Sequence, residues 1–334
     1  MISRTTIHRA SLAIGLALGL LLLILAFRVV DPSSLVAALA GTQFHLVALA
    51  LLTVAATVVA KALRWRLLYY PAHRNLRLTS LLSAILIGQT MNFLLPIRVG
   101  ELARAYLVGE AERLSKLLAL GTIMVEKLLD GLMLLLIVGL LFLLMPVPDW
   151  LRIAGVTMGL TLGGLLATIL LLTGQRERIL GAVGRLGELT PFLERLDLRQ
   201  RLAALADGLS SLRDGTVNVR LLAWSLCISF LAASTNYLTL VALRIEVPLL
   251  TASLFVLAVL HLGLAVPSSP ARIGVFQFLC LLSLSFLGVE GPLALAYGFV
   301  LYAIVVLPVI LAGILCLWKG NLTLYRLASQ VEDN

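Results

Sequence analysis

The chain has 334 residues, of which 60% are hydrophobic and only 13% are charged. Soluble domains are about half apolar and about a quarter charged, so this composition excludes an ordinary soluble protein and indicates an integral membrane protein. The net charge of +9 does not indicate nucleic-acid binding, because the basic residues lie in short segments beside apolar runs, where they set membrane topology. We expect no nucleic-acid partner.

Six apolar runs are long enough to cross a bilayer, which takes about 20 residues. In chain order they are 10–27, 44–63, 117–145, 151–173, 221–243 and 292–318. The first run resembles a signal peptide, but its length favours a retained helix. Because lysine and arginine favour the cytoplasmic side, we expect both termini in the cytoplasm. The predicted location is therefore the inner (cytoplasmic) membrane, crossed several times.

Two further apolar regions divide into short arms. By the same charge rule, residues 79–116 begin and end on the cytoplasmic side, and residues 248–291 begin and end outside. The arms are 80–95 with 97–113, and 251–266 with 274–287. Arms this short predict re-entrant hairpins, although paired spanning helices would preserve the same topology and stay open as an alternative.

The tips of the two predicted hairpins share a pattern. Residues 96–100 read Pro-Ile-Arg-Val-Gly, and residues 270–274 read Pro-Ala-Arg-Ile-Gly. A match of five residues can arise by chance. Here, however, the two motifs lie at the same place in the two predicted hairpins, which enter the membrane from opposite sides. We therefore predict an inverted repeat of 44–145 and 221–318, a plan that places a binding site near the midplane in many transporters. The expected fold is an all-α polytopic membrane protein with six spanning helices and two re-entrant hairpins, in a single domain, 1–334.

Charged residues at the tips are the first candidates for a binding site. Arg98, Glu101 and Arg104 are spaced i,i+3 and share one helix face. A charge at the centre of a membrane helix costs about 2.5–3.5 kcal/mol, so these side chains must be paired, hydrated or near the interface. They form either a salt-bridged interfacial helix or a basic cavity for an anionic group. Arg272 at the second tip favours the cavity.

Four uncharged residues at the tips are further candidates for substrate binding. Gly100 and Gly274 let the backbone approach a ligand closely, and a helix that starts there directs free N–H groups towards a phosphate. Asn92 and Gln277 are candidates for the wall of the cavity.

The helix after the first hairpin contains Glu126, Lys127 and Asp130. Charged residues inside a membrane helix indicate a functional site, where these would balance the arginines or carry a proton. A structural ion pair is the alternative. His261, in an apolar run, is either a satisfied buried histidine or a proton relay. We expect neither a cofactor nor a metal site, since the cysteines lack metal-type spacing: Cys227, Cys280 and Cys316.

The basic linker 174–220 is predicted to lie in the cytoplasm. Its leucines are spaced 4-3-4-3, at Leu198, Leu202, Leu205, Leu209 and Leu212. This spacing predicts an amphipathic helix on the inner leaflet or against the bundle. Docking of a partner protein is a second use for the same surface.

Three segments resemble a flippase-like membrane family named for the transmembrane region of lysylphosphatidylglycerol synthase. They are NFLLPIRVGELARAYLV, VEKLLDGLMLL and VPSSPARIGVFQ, which start at residues 92, 125 and 266. The resemblance implies two re-entrant hairpins and the handling of lipids with charged or glycosylated headgroups. It places the family's motifs on Pro96, Arg98, Gly100, Glu101, Arg104, Glu126 and Asp130, and on Pro270, Gly274 and Gln277 in the second half.

The second motif departs from the pattern that the resemblance implies. That pattern commonly has glycines where this chain has Ala271 and Arg272, and an acid where it has Gln277. The change makes the cavity more positive, suits a more anionic substrate and removes the acid through which a proton would be coupled. The printed sequence also lacks the aminoacyl-transferring domain of some relatives, so we do not expect it to synthesise aminoacyl lipids.

The leading functional hypothesis is a flippase that moves an anionic or polyprenyl-phosphate-linked lipid headgroup across the bilayer. No phosphate-binding loop of the G-x-x-x-x-G-K-[S/T] type is present, so ATP is not expected to drive it directly. The alternatives are a membrane enzyme that acts on lipid phosphates and an accessory scaffold subunit of a lipid or glycan pathway. The expected partner is an anionic membrane lipid, while a homo-oligomer or a complex with a pathway enzyme is left open.

Overall fold

A computed structural model describes residues 20–22, 24, 32–70, 73, 75–95, 99–174, 203, 207, 214–265 and 269–319. Within these ranges the chain is helical and contains no β-strand. The helices are α1 (Pro32–Ala40), α2 (Phe44–Leu67), α3 (Leu78–Leu94), α4 (Gly100–Glu112), α5 (Lys116–Leu144), α6 (Asp149–Gly174), α7 (Gly215–Ala242), α8 (Leu249–Gly263), α9 (Val275–Phe286), α10 (Gly291–Val305) and α11 (Leu307–Lys319), with a 3₁₀ turn at Pro270–Arg272.

Five segments of the described chain are long and apolar enough to cross a membrane. They are Phe44–Leu67, Lys116–Leu144, Asp149–Thr168, Gly215–Ala242 and Gly291–Lys319. The protein is therefore a multi-pass membrane protein, as its composition predicts. The sixth predicted span, 10–27, lies largely outside the described residues.

The last span, Gly291–Lys319, covers the predicted run 292–318 and contains one interruption. Helix α10 ends at Val305, Val306 interrupts the helical run, and α11 continues from Leu307. The physical reason is Pro308, which has no backbone N–H to donate to the preceding turn and is tolerated in the first turn of a new helix.

Two other boundaries differ from the predicted ones. Residues 31–43, between the first two predicted spans, contain the helix α1, which packs against α10. The linker predicted at 174–220 ends earlier, because α7 begins at Gly215, where the Asp214 carboxylate accepts hydrogen bonds from the backbone N–H groups of Thr216 and Val217. Such an N-cap stabilises the start of a helix. The leucines of the predicted amphipathic helix, 198–212, lie outside the described residues.

Two pairs of short helices form antiparallel hairpins, α3 with α4 and α8 with α9. Helices α4, α8 and α9 have 13, 15 and 12 residues, fewer than a membrane crossing takes. In the first hairpin, glycines let the backbones touch: a Cβ atom at Gly88 would lie 2.7 Å from the carbonyl oxygen of Gly100. The crossing therefore depends on small residues, as in many membrane helix pairs.

The helix contacts fall into pairs that relate the two halves of the chain. Helix α2 packs most extensively against α7. The first arm of each hairpin contacts the last helix of the other half, α3 against α11 and α8 against α5. Contacts of α2 with α10 and of α7 with α5 form a further pair. One apolar core surrounds Trp65 in the first half, and another surrounds Tyr297 in the second.

Candidate functional site

A cavity of about 420 Å³ lies between the two halves of the molecule. Most of its wall is hydrocarbon, and its apolar residues include Val58, Met133, Ile137, Leu257 and Leu301. Its polar and charged residues include Lys61, Gln89, Asn92, Glu101, Lys127, Asp130, His261 and Arg272. Of the helices named above, all except α1 and α6 contribute to the lining. The cavity is therefore amphipathic and is built jointly by both predicted repeats.

The end of the first hairpin is held by a chain of hydrogen bonds. Asn92 accepts a hydrogen bond from the Gly100 backbone N–H at 2.8 Å and donates one to Glu101 at 3.1 Å. Glu101 in turn is 2.9 Å from the Lys127 ammonium on α5. Three predicted site residues thus meet at the cavity wall. Contrary to the prediction for Gly100, its N–H is occupied by Asn92.

Arg104 does not line the cavity, contrary to its predicted role in substrate binding. Its two terminal nitrogens donate to the two carboxylate oxygens of Glu126 at 2.9 and 2.7 Å. The guanidinium also stacks on the Trp65 ring, with Cζ 4.1 Å from the centroid. Both members of the pair are buried. The physical reason is spacing: Glu101 and Arg104 share the face of α4 that packs on α5, and Glu126 lies opposite Arg104.

Asp130 pairs with Arg64, which the charge rule alone would count only as a topology signal. The Arg64 guanidinium on α2 donates to Asp130 at 2.6 Å and to the Ser225 hydroxyl at 3.0 Å. Arg64 is completely buried, whereas Asp130 is partly exposed towards the cavity. The sequence feature that indicates this pair is the position of Arg64 within the apolar helix α2, because a charge inside a membrane helix requires a partner.

Lys61 and His261 also lie on the cavity wall. The Nδ1 atom of His261 is 2.8 Å from the carbonyl oxygen of Leu257. Because a carbonyl only accepts hydrogen bonds, Nδ1 carries a proton and donates it. The ring of His261 is thus partly satisfied by its own helix, while the side chain is exposed at the cavity.

The second tip carries Arg272 at the cavity. Its Cζ atom lies 4.7 Å from the centroid of the Phe93 ring, near the end of α3. Ala271 and Arg272 have φ angles of 54° and 59°, in the left-handed region that favours glycine and costs other residues about 1–2 kcal/mol. The Tyr302 hydroxyl donates to the Ala271 carbonyl oxygen at 2.8 Å and so holds this strained turn in place.

Gln277 and Gly274 support the second tip and do not line the cavity, contrary to the prediction. The Gln277 side-chain oxygen accepts a hydrogen bond from the Gly274 N–H at 2.8 Å, and Gln277 is buried. This bond caps the start of α9, so the N–H group predicted to face a phosphate is already occupied. The backbone N–H groups of Gly100 and Gly274 are therefore both occupied by side chains of the protein.

Arg98 lies outside the described residues, as do Pro96 and Ile97. The described parts of the two tips nevertheless meet, because the 3₁₀ turn packs against α3 and Arg272 covers Phe93. Among the predicted site residues, Asn92, Glu101, Lys127, Asp130 and Arg272 share one cavity. The described residues contain no group of three His, Cys, Asp or Glu side chains placed to hold a metal ion.

Comparison with known proteins identifies the family. The family model described as the lysylphosphatidylglycerol synthase TM region matches residues 12–313, which is most of the chain. No curated protein and no solved structure matches the chain significantly. The family indicates a membrane protein of lipid metabolism or of the flippase type. The chain belongs to the family of the lysylphosphatidylglycerol synthase transmembrane region.

Proposed function

We propose that this protein is a lipid flippase that moves an anionic or polyprenyl-phosphate-linked headgroup between the leaflets of the inner membrane. The observation that carries the proposal is the amphipathic cavity between the two halves of the molecule. Its apolar wall suits the first methylene groups of a lipid, and its charged wall suits a headgroup. A soluble anion would gain nothing from the apolar wall.

The charges of the cavity favour an anionic headgroup. In the described part of its wall, three side chains are cationic and two are acidic: Lys61, Lys127 and Arg272 against Glu101 and Asp130. Both carboxylates already bind a cation of the protein. A cationic substrate would therefore have to displace a lysine or an arginine, whereas a phosphate can bind without breaking either pair.

The paired helix contacts support an inverted repeat with two re-entrant hairpins. Exchanging α2 with α7, α3 with α8 and α5 with the pair α10 and α11 maps one set of contacts onto the other. In transporters built in this way, rocking one half against the other exposes a central site to each side in turn. We propose the same movement here, with the headgroup held between the tips.

We further propose that the protein is not an enzyme and that an anionic lipid is its partner. Hydrolysis of a lipid phosphate needs a metal or an activated nucleophile. The three carboxylates nearest the cavity, those of Glu101, Glu126 and Asp130, each bind a lysine or an arginine. Their ion pairs favour a structural role in balancing charge over a role as general base.

The proposal is tested by reconstituting the full chain into vesicles that contain fluorescent phosphatidylglycerol. We expect wild-type protein to move the labelled lipid between leaflets and Arg272→Ala to slow this movement about ten- to hundred-fold. The reason is that a hydrogen bond to a charged group contributes about 1.5–3 kcal/mol. The rate is measured by quenching the outer leaflet with dithionite.

Arg220→Ala is the matched control, because Arg220 is exposed near the start of α7 and does not line the cavity. It should keep the wild-type rate. Movement at the wild-type rate in Arg272→Ala, or no movement by wild-type protein, would contradict the proposal. A new lipid product without movement would support an enzyme, and a co-purified pathway enzyme without movement would support a scaffold.

A further inference from the structure

Three other cations of the first half each bind a carboxylate of the protein, and Lys61 differs from them. Lys127 binds Glu101, Arg64 binds Asp130 and Arg104 binds Glu126, at distances of 2.9, 2.6 and 2.7 Å. No carboxylate of the described residues lies within 4.0 Å of the Lys61 ammonium.

Lys61 also lies deep within the bundle. It precedes Arg64 by about one turn of α2, and the partner of Arg64 is Asp130, the middle residue of the 29-residue helix α5. A lysine charge at this depth costs about 2.5–3.5 kcal/mol when it faces lipid. Because Lys61 faces the cavity, a bound anion can offset this cost.

The neighbouring acid, Asp130, already binds another cation. The Asp130 oxygen Oδ1 is 2.6 Å from Arg64, which is fully buried and is held in place by Ser225 as well. A switch of Asp130 towards Lys61 would leave the Arg64 guanidinium buried without its acid, which is strongly unfavourable. Asp130 is therefore committed to Arg64, and Lys61 reaches the cavity without a carboxylate of the described residues within 4.0 Å.

We propose that Lys61 binds the phosphate of the transported lipid, with Arg272 on the opposite half of the molecule. This inference rests on the proposed function, since it assumes that the cavity admits an anionic lipid. Lys61 belongs to the first half and Arg272 to the tip of the second, and both line the same cavity. A phosphate bound between them would link the two halves by charge-assisted hydrogen bonds.

The test measures binding and does not depend on transport. Full-length protein in an uncharged maltoside detergent is titrated with short-chain dihexanoylphosphatidylglycerol in a calorimeter. We expect Lys61→Gln to weaken binding at least ten-fold, because it removes the charge at similar length. Lys61→Arg, which keeps the charge, should bind within about three-fold of wild type.

Lys116→Gln is the matched control, since Lys116 begins α5, pairs with Glu110 and does not line the cavity. It should bind as wild type does. Dihexanoylglycerol, which has no phosphate, should bind wild type and Lys61→Gln equally. Elution volume and thermal unfolding in the same detergent establish that each variant is folded.

Two results would overturn the inference: equal binding of phosphatidylglycerol by wild type and Lys61→Gln, or no binding by wild type. Inorganic phosphate is titrated in a separate experiment. If it binds as tightly as phosphatidylglycerol, the site recognises phosphate and not a lipid. If phosphatidylglycerol binding depends on Lys61 but the protein moves no lipid in vesicles, the flippase proposal is contradicted and the phosphate site at Lys61 is supported. If the protein moves lipid but binds it independently of Lys61, the flippase proposal is supported and the phosphate site at Lys61 is contradicted.

Discussion

Replacing Glu126 with leucine is expected to lower the free energy of unfolding by about 3–5 kcal/mol. The substitution leaves the Arg104 guanidinium buried against Trp65 without the carboxylate that holds both of its terminal nitrogens. An uncompensated buried charge costs far more than the lost hydrogen bonds alone. The measurement is denaturant unfolding of the purified protein in mixed micelles, followed by tryptophan fluorescence.

The double variant Arg104→Met with Glu126→Leu separates the buried charge from packing. Replacing both members of a buried pair with apolar residues is often neutral, so the double variant should recover most of the lost stability. Glu110→Gln is the control for a surface pair, because Glu110 is 58% exposed beside Lys116. It should cost less than about 1 kcal/mol. A loss below 1 kcal/mol in Glu126→Leu would contradict this account of the pair.

Replacing Gly88 with valine is expected to cost about 3 kcal/mol, at the upper end for overpacking. Its Cβ atom would lie 2.7 Å from the Gly100 carbonyl oxygen and 2.9 Å from the Arg104 Cδ atom. The arms of the first hairpin must then separate, which moves Glu101 at the cavity wall. We therefore expect slower lipid movement as well as lower stability, measured by the vesicle assay and by thermal unfolding.

Gly139→Val is the control for this prediction, because a Cβ atom at Gly139 meets nothing within 4 Å. Valine at this site on α5 should leave both stability and lipid movement near wild type. If Gly88→Val behaved like Gly139→Val, the close crossing of α3 and α4 would not be required. If Gly88→Val lowered stability but left lipid movement unchanged, the crossing of α3 and α4 would not be needed to hold Glu101 at the cavity wall.

The helices of this protein were predictable because membrane helices are encoded by length and apolarity. The four hairpin arms end within three residues of their predicted bounds. The break before Pro308 was overlooked because the apolar run continues through it, and a proline in an apolar run does not by itself show where two helices meet. The short helix α1 was hidden for a different reason, since it is too short to give a membrane-crossing signal.

The candidate site was only partly predictable, because charge in a membrane helix indicates a partner but does not name it. Sequence spacing correctly put Glu101 and Arg104 on one helix face. Glu101 nevertheless lines the cavity, whereas Arg104 is buried in an ion pair with Glu126. The charge rule counts Lys61 and Arg64 only as topology signals. Their different environments, one paired and one facing the cavity, arise from contacts with α5.

The sequence alone determined that this is a helical, multi-pass membrane protein, because hydrocarbon admits only long apolar segments with their backbone hydrogen bonds satisfied internally. It also determined the family, through motifs around residues 92–108, 125–135 and 266–277. Only the tertiary structure decided which charges bind each other and which face the cavity. Pairing depends on distances of a few ångströms between side chains from different helices, and neither periodicity nor composition encodes such distances.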